Sequence, residues 1–506
     1  MNTKCIITIA TNYFKVEYNS KAGIKLLSRF SNTFSTFKYV YDRYQKRKVR
    51  KVDKVYDGGN IHLGEKRYTL SSIKNFMWLL RACDVNKDNI IIKYIKKPVY
   101  DKLNIPFISR FELRDYQLTG VSILTDGKSG TKLVDLATGM GKTVIALKAV
   151  TELNHNMVLL ILPKYIDKWI SDIKVNTKAG DDDIMVIRGS NDLSSLMMLA
   201  EAGETIPKFL IFSNRTIYTY IKTYETIKHI DDFTYPLVPE ELFKVLRVGT
   251  LLIDEVHQEF YSVFKASLYF DVNVLIGLSA TLTSDDPKRN ELYYNLFPKD
   301  TRISTVGYKK YITVYAVNYK FKTLNGIRAI GTMGYSHTTF EQSILNRSMV
   351  RNNYLKMIND YVEEGYIKRK EKGDKILIFC ATISLCTLLT SYLQSKHTDC
   401  IVNRYVEADP YENVMEGDII ISTVISAGTA LDIPNLITVI NTVSQASLVS
   451  NLQTIGRLRN IKGKSMEFYY LYSMDIPKQK EYHFKRKELF KPRALAMHGL
   501  EYKHDI

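Results

Sequence analysis

The chain has 506 residues, of which 45% are hydrophobic and 25% charged, with a formal charge of +18. That length supports three or four domains, and the mixture is that of a globular protein. No apolar run approaches the length of a membrane span, Met1–Lys4 opens no secretory h-region, and Cys5, Cys83, Cys380, Cys386 and Cys400 form no CxxC pair, so a membrane anchor, a disulfide framework and a zinc site are all disfavoured and a reducing, cytoplasmic setting is expected.

The charge is concentrated at the start. Residues 1–105 hold 22 Lys and Arg against 8 Asp and Glu, a net +14. Such a cluster favours a polyanionic partner, because each neutralised phosphate releases counterions. The periodicity predicts strand Cys5–Ala10, helix Lys21–Phe30, strand Phe37–Tyr44, a short strand Asn60–Leu63, helix Ser71–Cys83 with Ser71 or Ser72 as N-cap, and strand Asn89–Tyr94. This β-α-β-β-α-β order implies a small two-layer α+β domain over residues 1–105. Gln45–Lys51, carrying Lys46, Arg47, Lys48 and Arg50, reads as a basic loop or hairpin and a nucleic-acid contact. Tyr39 and Tyr41 share one strand face beside it, where ordinary packing outweighs base stacking.

From Phe111 onward, continuous apolar strands alternate with helical stretches: Lys132–Leu136, Met157–Leu162, Lys208–Phe212, Thr250–Asp254 and Val272–Leu278, then Lys375–Phe379, Asp418–Ser422 and Thr438–Asn441. Strands apolar on both faces belong to parallel sheets covered by helices. Two α/β domains in tandem are expected, at 106–304 and 305–477, followed by a basic tail at 478–506 that reads as a surface helix. Trp169, on the helix after the second strand, reads as core packing.

The turn Leu136-Ala137-Thr138-Gly139-Met140-Gly141-Lys142-Thr143 lies between a strand and a helix. Gly139 and Gly141 let backbone N–H groups approach a triphosphate, Lys142 supplies a point charge, and the Thr143 hydroxyl is a Mg²⁺ ligand. Leu136 stands where GxxxxGK[ST] has its first Gly. Asp254-Glu255 ends an apolar strand, where open α/β sheets place ligands. One carboxylate can hold the metal shell and its neighbour can orient or deprotonate water. ATP and Mg²⁺ are the expected cofactors. His257 reads equally as part of a hydrogen-bond network and as a structural histidine. The Asp run at 181–183 is a solvated loop.

These motifs resemble those of superfamily 2 helicases of the DExH type. Arg114-Asp115-Tyr116-Gln117 resembles the Q motif, Leu162-Pro163-Lys164 motif Ia, and Ser213, Arg215 and Thr216 the next backbone-contacting segment. Ser279-Ala280-Thr281 is similar to motif III, Ile378-Phe379-Cys380 to motif IV, Ser422-Thr423 through Pro434 to motif V, and Gln453-Thr454-Ile455-Gly456-Arg457 to motif VI. The resemblance spans about residues 111–475. It implies two RecA-like domains that both contribute to one ATP site. Gln117 would meet adenine with Arg114 near the nucleotide, Asp432 the ribose, and Gln453 and Arg457 the transferring phosphoryl group. Lys164, Arg215, Thr216 and Thr423 would meet the nucleic-acid backbone. Motif VI commonly has a second arginine at the position of Asn460. Here Arg459 stands one residue earlier, so Arg457 and Arg459 both qualify as the arginine finger, with Arg457 in register. The basic N-terminal module before Arg-x-Tyr-Gln further resembles phage branch-migration helicases. That implies a DNA partner, forked or branched, in the host cytoplasm, and a role in phage replication, recombination or repair. An RNA helicase, a motor linked to transcript release, and a non-enzymatic DNA-binding scaffold are the alternatives.

Overall fold

The computed structural model describes residues 4–506 except 19, 43–46, 110–111, 129, 137–138, 281, 283, 285, 305–309, 332–333, 408 and 428–432. The chain forms two units, Met1–Thr305 and Val306–Ile506. Each is built on a seven-stranded, all-parallel sheet, so the expected pair of RecA-like domains is present.

In the first unit the sheet runs Arg302–Ser304, Thr131–Asp135, Val274–Ser279, Thr250–Ile253, Met157–Ile161, Phe209–Ser213, Ile184–Ile187. Its central strands are buried along their whole length, as continuous apolar runs require. The order in the second unit is Val402–Tyr405, Ile419–Thr423, Lys375–Cys380, Leu436–Asn441, Met466–Tyr472, Ile312–Asn318, Ala494–Glu501. The last of these strands lies within the stretch expected to be a basic tail. Residues 477–490 form a helix, as expected there, but it buries Gln479, Arg486 and Phe490, and that edge strand follows it. The apolar run Ala494–Met497 follows directly on that Lys- and Arg-rich helix. Among the described residues no helix is long and apolar enough to cross a membrane.

The N-terminal α+β layer is a four-stranded sheet, Glu65–Thr69, Tyr13–Tyr18, Cys5–Ile9, Ile90–Tyr94, carrying helices Lys21–Asn32 and Ile73–Ala82. Ser20 caps the first helix, accepting from the Gly23 N–H at 3.1 Å. Two details differ from the sequence reading. Tyr13–Tyr18 is a strand, reached from Cys5–Ile9 through a tight turn closed by the Ala10 N–H on the Tyr13 carbonyl. Asn60–Leu63 is not a strand but a capped 3₁₀ turn, because the Asn60 side chain accepts from the His62 N–H at 2.8 Å.

This layer shares one apolar core with the first large sheet. A buried charged seam joins them as well. Arg67, almost wholly enclosed, pairs with Glu240 and lies over the Tyr269 ring at 4.7 Å. Lys265 bonds Glu225 at 2.6 Å and reaches Asp57 at 3.5 Å, while Lys66 bonds Asp57 at 2.8 Å. The Asn60 amide donates to the Tyr224 and Ile227 carbonyls. From the same layer, strands Ser35–Asp42 and Arg47–Val55 leave as an antiparallel two-stranded sheet of their own. The described part of the basic segment, Arg47–Lys51, is therefore strand, the second arm of a hairpin.

Candidate nucleotide and nucleic-acid site

The phosphate turn sits at the C-terminal edge of the first sheet, between strand Thr131–Asp135 and helix Lys142–Leu153. Gly139 (φ 83°) and Gly141 (φ 76°) both adopt the left-handed region, which a side chain disfavours. A Cβ on Gly141 would also come within 2.3 Å of the Gln117 Nε2. Lys142 is the first helical residue, and its Nζ donates to the Leu136 carbonyl at 3.1 Å. Helix N-terminal N–H groups, a left-handed turn and an ammonium together form a cradle for phosphate oxygens. Thr143 follows on the helix's first turn.

Gln117 is tied to this turn. Its Nε2 donates to the Met140 carbonyl at 3.3 Å, and its Oε1 accepts from the Arg114 N–H at 2.9 Å. Tyr116 donates its hydroxyl to the same carbonyl at 3.1 Å. The Arg-x-Tyr-Gln segment thus braces the cradle from outside.

Asp254 and Glu255 leave the end of strand Thr250–Ile253. Glu255 holds φ +49°, a left-handed conformation that costs a side-chain-bearing residue roughly 1 kcal/mol or more. This kink turns consecutive carboxylates out of the strand's alternation. Both Asp254 oxygens are held: Oδ2 by the Trp169 indole N–H at 2.8 Å and Oδ1 by the Glu255 N–H at 2.8 Å. Burial, and then the Glu255 charge, push the Asp254 carboxyl above its usual range, against the Trp169 N–H and Lys142, which lower it. Glu255 Oε2 is buried without a hydrogen-bond partner among the described residues. Two adjoining, largely enclosed carboxylates of this kind fit a hard, oxygen-preferring cation.

His257 Nδ1 lies 3.0 Å from the Ser279 hydroxyl and 3.4 Å from Glu255 Oε2. Burial first, and Lys142 second, push its imidazole down to about 4, so it is neutral at physiological pH. The network reading of His257 is the one the geometry displays. It connects the acidic pair to Ser279, and the Ser279 carbonyl in turn accepts from the Leu136 N–H at 3.1 Å.

Trp169 is the residue that the sequence undervalued. It is buried, as core packing demands, yet its indole N–H is spent on Asp254. The sequence carried only the general signal that a buried Trp N–H must find an acceptor; it did not say which.

Among the nucleic-acid candidates of this unit, Lys164 lies just beyond strand Met157–Ile161, its Nζ 4.8 Å from the Tyr165 ring centre. Arg215 is exposed and Thr216 half-buried at the start of helix Asn214–Thr226, directly after strand Phe209–Ser213. In the second unit Thr423 ends strand Ile419–Thr423, and its hydroxyl lies 2.9 Å from that of Ser426. It lines a cavity of about 340 Å³ with Ala381, Ser444, Gln445, Tyr335 and Tyr482 at the strand ends. Gln453 lies on helix Leu448–Ile455, and its carbonyl accepts from the Arg457 Nε at 3.3 Å. Arg459 Nη1 donates to the Gly456 carbonyl at 3.3 Å. Thr138, Asp432 and Lys46 lie outside the described residues, as do the Tyr41 and Lys48 side chains.

Residues 110–284 match the family described as "Type III restriction enzyme, res subunit". No curated protein sequence matches the chain. Among solved structures, Dbp5 of S. cerevisiae bound to RNA and ADP BeF3 is similar in fold: 12% identity, TM-score 0.50, covering 77% of this chain and 90% of that one. A point variant of the same yeast protein, also with RNA and ADP BeF3, gives 12% identity and a TM-score of 0.48 over 78% and 95% of the two chains. The family match takes in the Gly-Lys-Thr turn and the acidic pair, and the likeness to the solved structure is one of fold.

Proposed function

We propose that the chain is an ATP-driven DNA helicase or translocase that unwinds or branch-migrates forked and junction DNA, as phage branch-migration helicases do. The observation that carries this reading is the N-terminal layer. It holds a net +14 and shares a core and a buried ionic seam with the ATP-binding unit. A basic DNA-holding layer joined in this way would move with the sheet that holds ATP. The family match to a restriction-enzyme subunit also favours DNA over RNA.

The N–H groups around Gly139 and Gly141 would bind phosphate oxygens, and Lys142 the β- and γ-phosphates. Thr143 and Asp254 are the residues that would hold Mg²⁺. When bound, the ion would neutralise charge on the phosphates. Glu255 would orient water and accept its proton. Arg457, with Gln453, is the cation that would meet charge on the transferring phosphoryl group, in preference to Arg459. Arg114 and Gln117 would position the base side of the nucleotide, with Thr138 and Asp432 as further contacts. Lys164, Arg215, Thr216 and Thr423 would grip the sugar-phosphate backbone, which gives little sequence preference.

The test is ATPase activity with no nucleic acid, single-stranded DNA, branched DNA and RNA, followed by strand displacement on forked and four-way DNA. Lys142→Ala should abolish hydrolysis under every condition. Stimulation by RNA and not by DNA would defeat the proposal.

A further inference from the structure

We infer that one face of the 35–55 hairpin is a stacking platform for unpaired bases of single-stranded DNA, with Tyr39 as its principal ring. The inference rests on the DNA-motor reading above and names what the hairpin grips. Register places Tyr39 opposite Arg50 and Phe37 opposite Val52. Alternation therefore puts Phe37 and Tyr39 on one face, with Arg50 directly across from Tyr39. On that face Tyr39 is 70% exposed and Phe37 40%, while the Arg50 guanidinium lies 3.7 Å from the Phe37 ring centre. The packing role expected for Tyr39 is absent. The hairpin forms its own sheet, and the Tyr39 ring stands in solvent.

The chemistry selects the occupant. Residues 35–55 carry eight Lys or Arg and two Asp, so the partner must be anionic. Lys38 is committed to Asp53 at 2.8 Å, which leaves the excess positive. The partner must also offer flat apolar faces to rings alternating with cations. An acidic peptide supplies the charge without the rings. Duplex DNA supplies phosphates but hides its base faces within the stack. An unpaired strand supplies both. The Lys54 ammonium, 4.8 Å from the Tyr261 ring centre, anchors the base of the hairpin to the ATP-binding unit, so a strand held here is held by that unit.

The experiment uses the full chain and two oligonucleotides of equal length, one of thymidines and one abasic. Wild type should bind the base-bearing strand more tightly. Tyr39→Ala should lose about five- to tenfold in affinity for the thymidine strand and nothing for the abasic one. Tyr39→Trp should restore the difference. Nucleic-acid-independent ATPase should be unchanged in both variants, which guards against misfolding. An equal loss on both strands, or no loss, would overturn the platform. The same contrast on uridine RNA but not on DNA would overturn the choice of DNA. Stimulation of wild-type ATPase by DNA is scored separately, so a failed motor reading is distinguishable from a failed platform.

Discussion

Two buried clusters of charge in the first unit are built to opposite ends. In the seam between the N-terminal layer and the sheet, carboxylates face cations. Burial alone would raise Asp57, but Lys265 and Lys66 more than reverse it, and Arg67 and Lys15 do the same for Glu240. At the strand-end site a carboxylate faces a carboxylate, and Asp254 is held above its usual range. Each of these seam carboxylates meets a cation, whereas at the site Lys142 does not bring Asp254 back to its usual range. Charge enclosed with its partners fixes structure, whereas adjoining carboxylates left incompletely compensated favour a cation between them.

Breaking the seam should have the largest effect. Arg67→Ala leaves Glu240 and Glu65 without their guanidinium and removes the cation over Tyr269. A loss of about 3–5 kcal/mol in unfolding free energy is expected, measured by denaturant melts. Arg67→Met, which refills the space, should lose less. If Arg67→Ala melts like wild type, the seam does not hold the layer in place. Acid should do the same more gradually. The Asp57 and Glu240 carboxyls are depressed in the fold, so their contribution is complete above the unfolded values near 4 and lost as pH falls through the folded ones. Glu225 runs the other way. Burial outweighs Lys265, its carboxyl is raised, and its contribution is lost as pH rises past the unfolded value. The melting temperature at pH 3 should therefore fall more in wild type than in Arg67→Ala, where Glu240 has no guanidinium to lose.

At the strand-end site a substitution should cost function before stability. Trp169→Phe keeps most of the buried ring and removes the N–H on Asp254. Partners that orient a metal-holding group typically contribute 10–100-fold. The Mg²⁺ concentration for half-maximal ATPase should rise by about that factor, with only a small shift in melting. An unchanged Mg²⁺ dependence with a lowered melting temperature would return Trp169 to the core.

The sequence showed which residues share this edge far better than how they are held. Strands such as Met157–Ile161 and Thr250–Ile253 were legible because a sheet buried on both faces needs unbroken apolar runs. The Gly-Lys-Thr turn and the acidic pair were legible because phosphate and metal chemistry restrict residue type and spacing. Trp169 on Asp254 was not, since 85 positions separate them and no local pattern reports a tertiary hydrogen bond. Arg67 and Lys265 were counted merely as part of a positive sum. Net charge does not reveal which cations are enclosed with carboxylates and which face solvent. The strand Ala494–Glu501 was hidden for a different reason: its apolar run follows directly on a basic helix, and as an edge strand it is buried at few positions.

The smallest effect tests the other half of that charge. Arg47 and Lys51 are exposed on the hairpin, far in sequence from any seam carboxylate except Asp57. Replacing both with Ala should leave stability within about 0.5 kcal/mol of wild type, as for most surface changes. What should change is the salt dependence of DNA binding. Each phosphate no longer neutralised lowers the slope of log affinity against log salt by about 0.7 on single strands and 0.9 on duplex. The double variant should therefore bind all sequences somewhat more weakly at low salt and converge on wild type at high salt. Arg67→Ala, measured at a temperature where it remains folded, should keep the wild-type slope because its cation is enclosed. A slope lowered equally by both variants would mean that the enclosed and exposed cations are not separate in function, and the division drawn between them would fail.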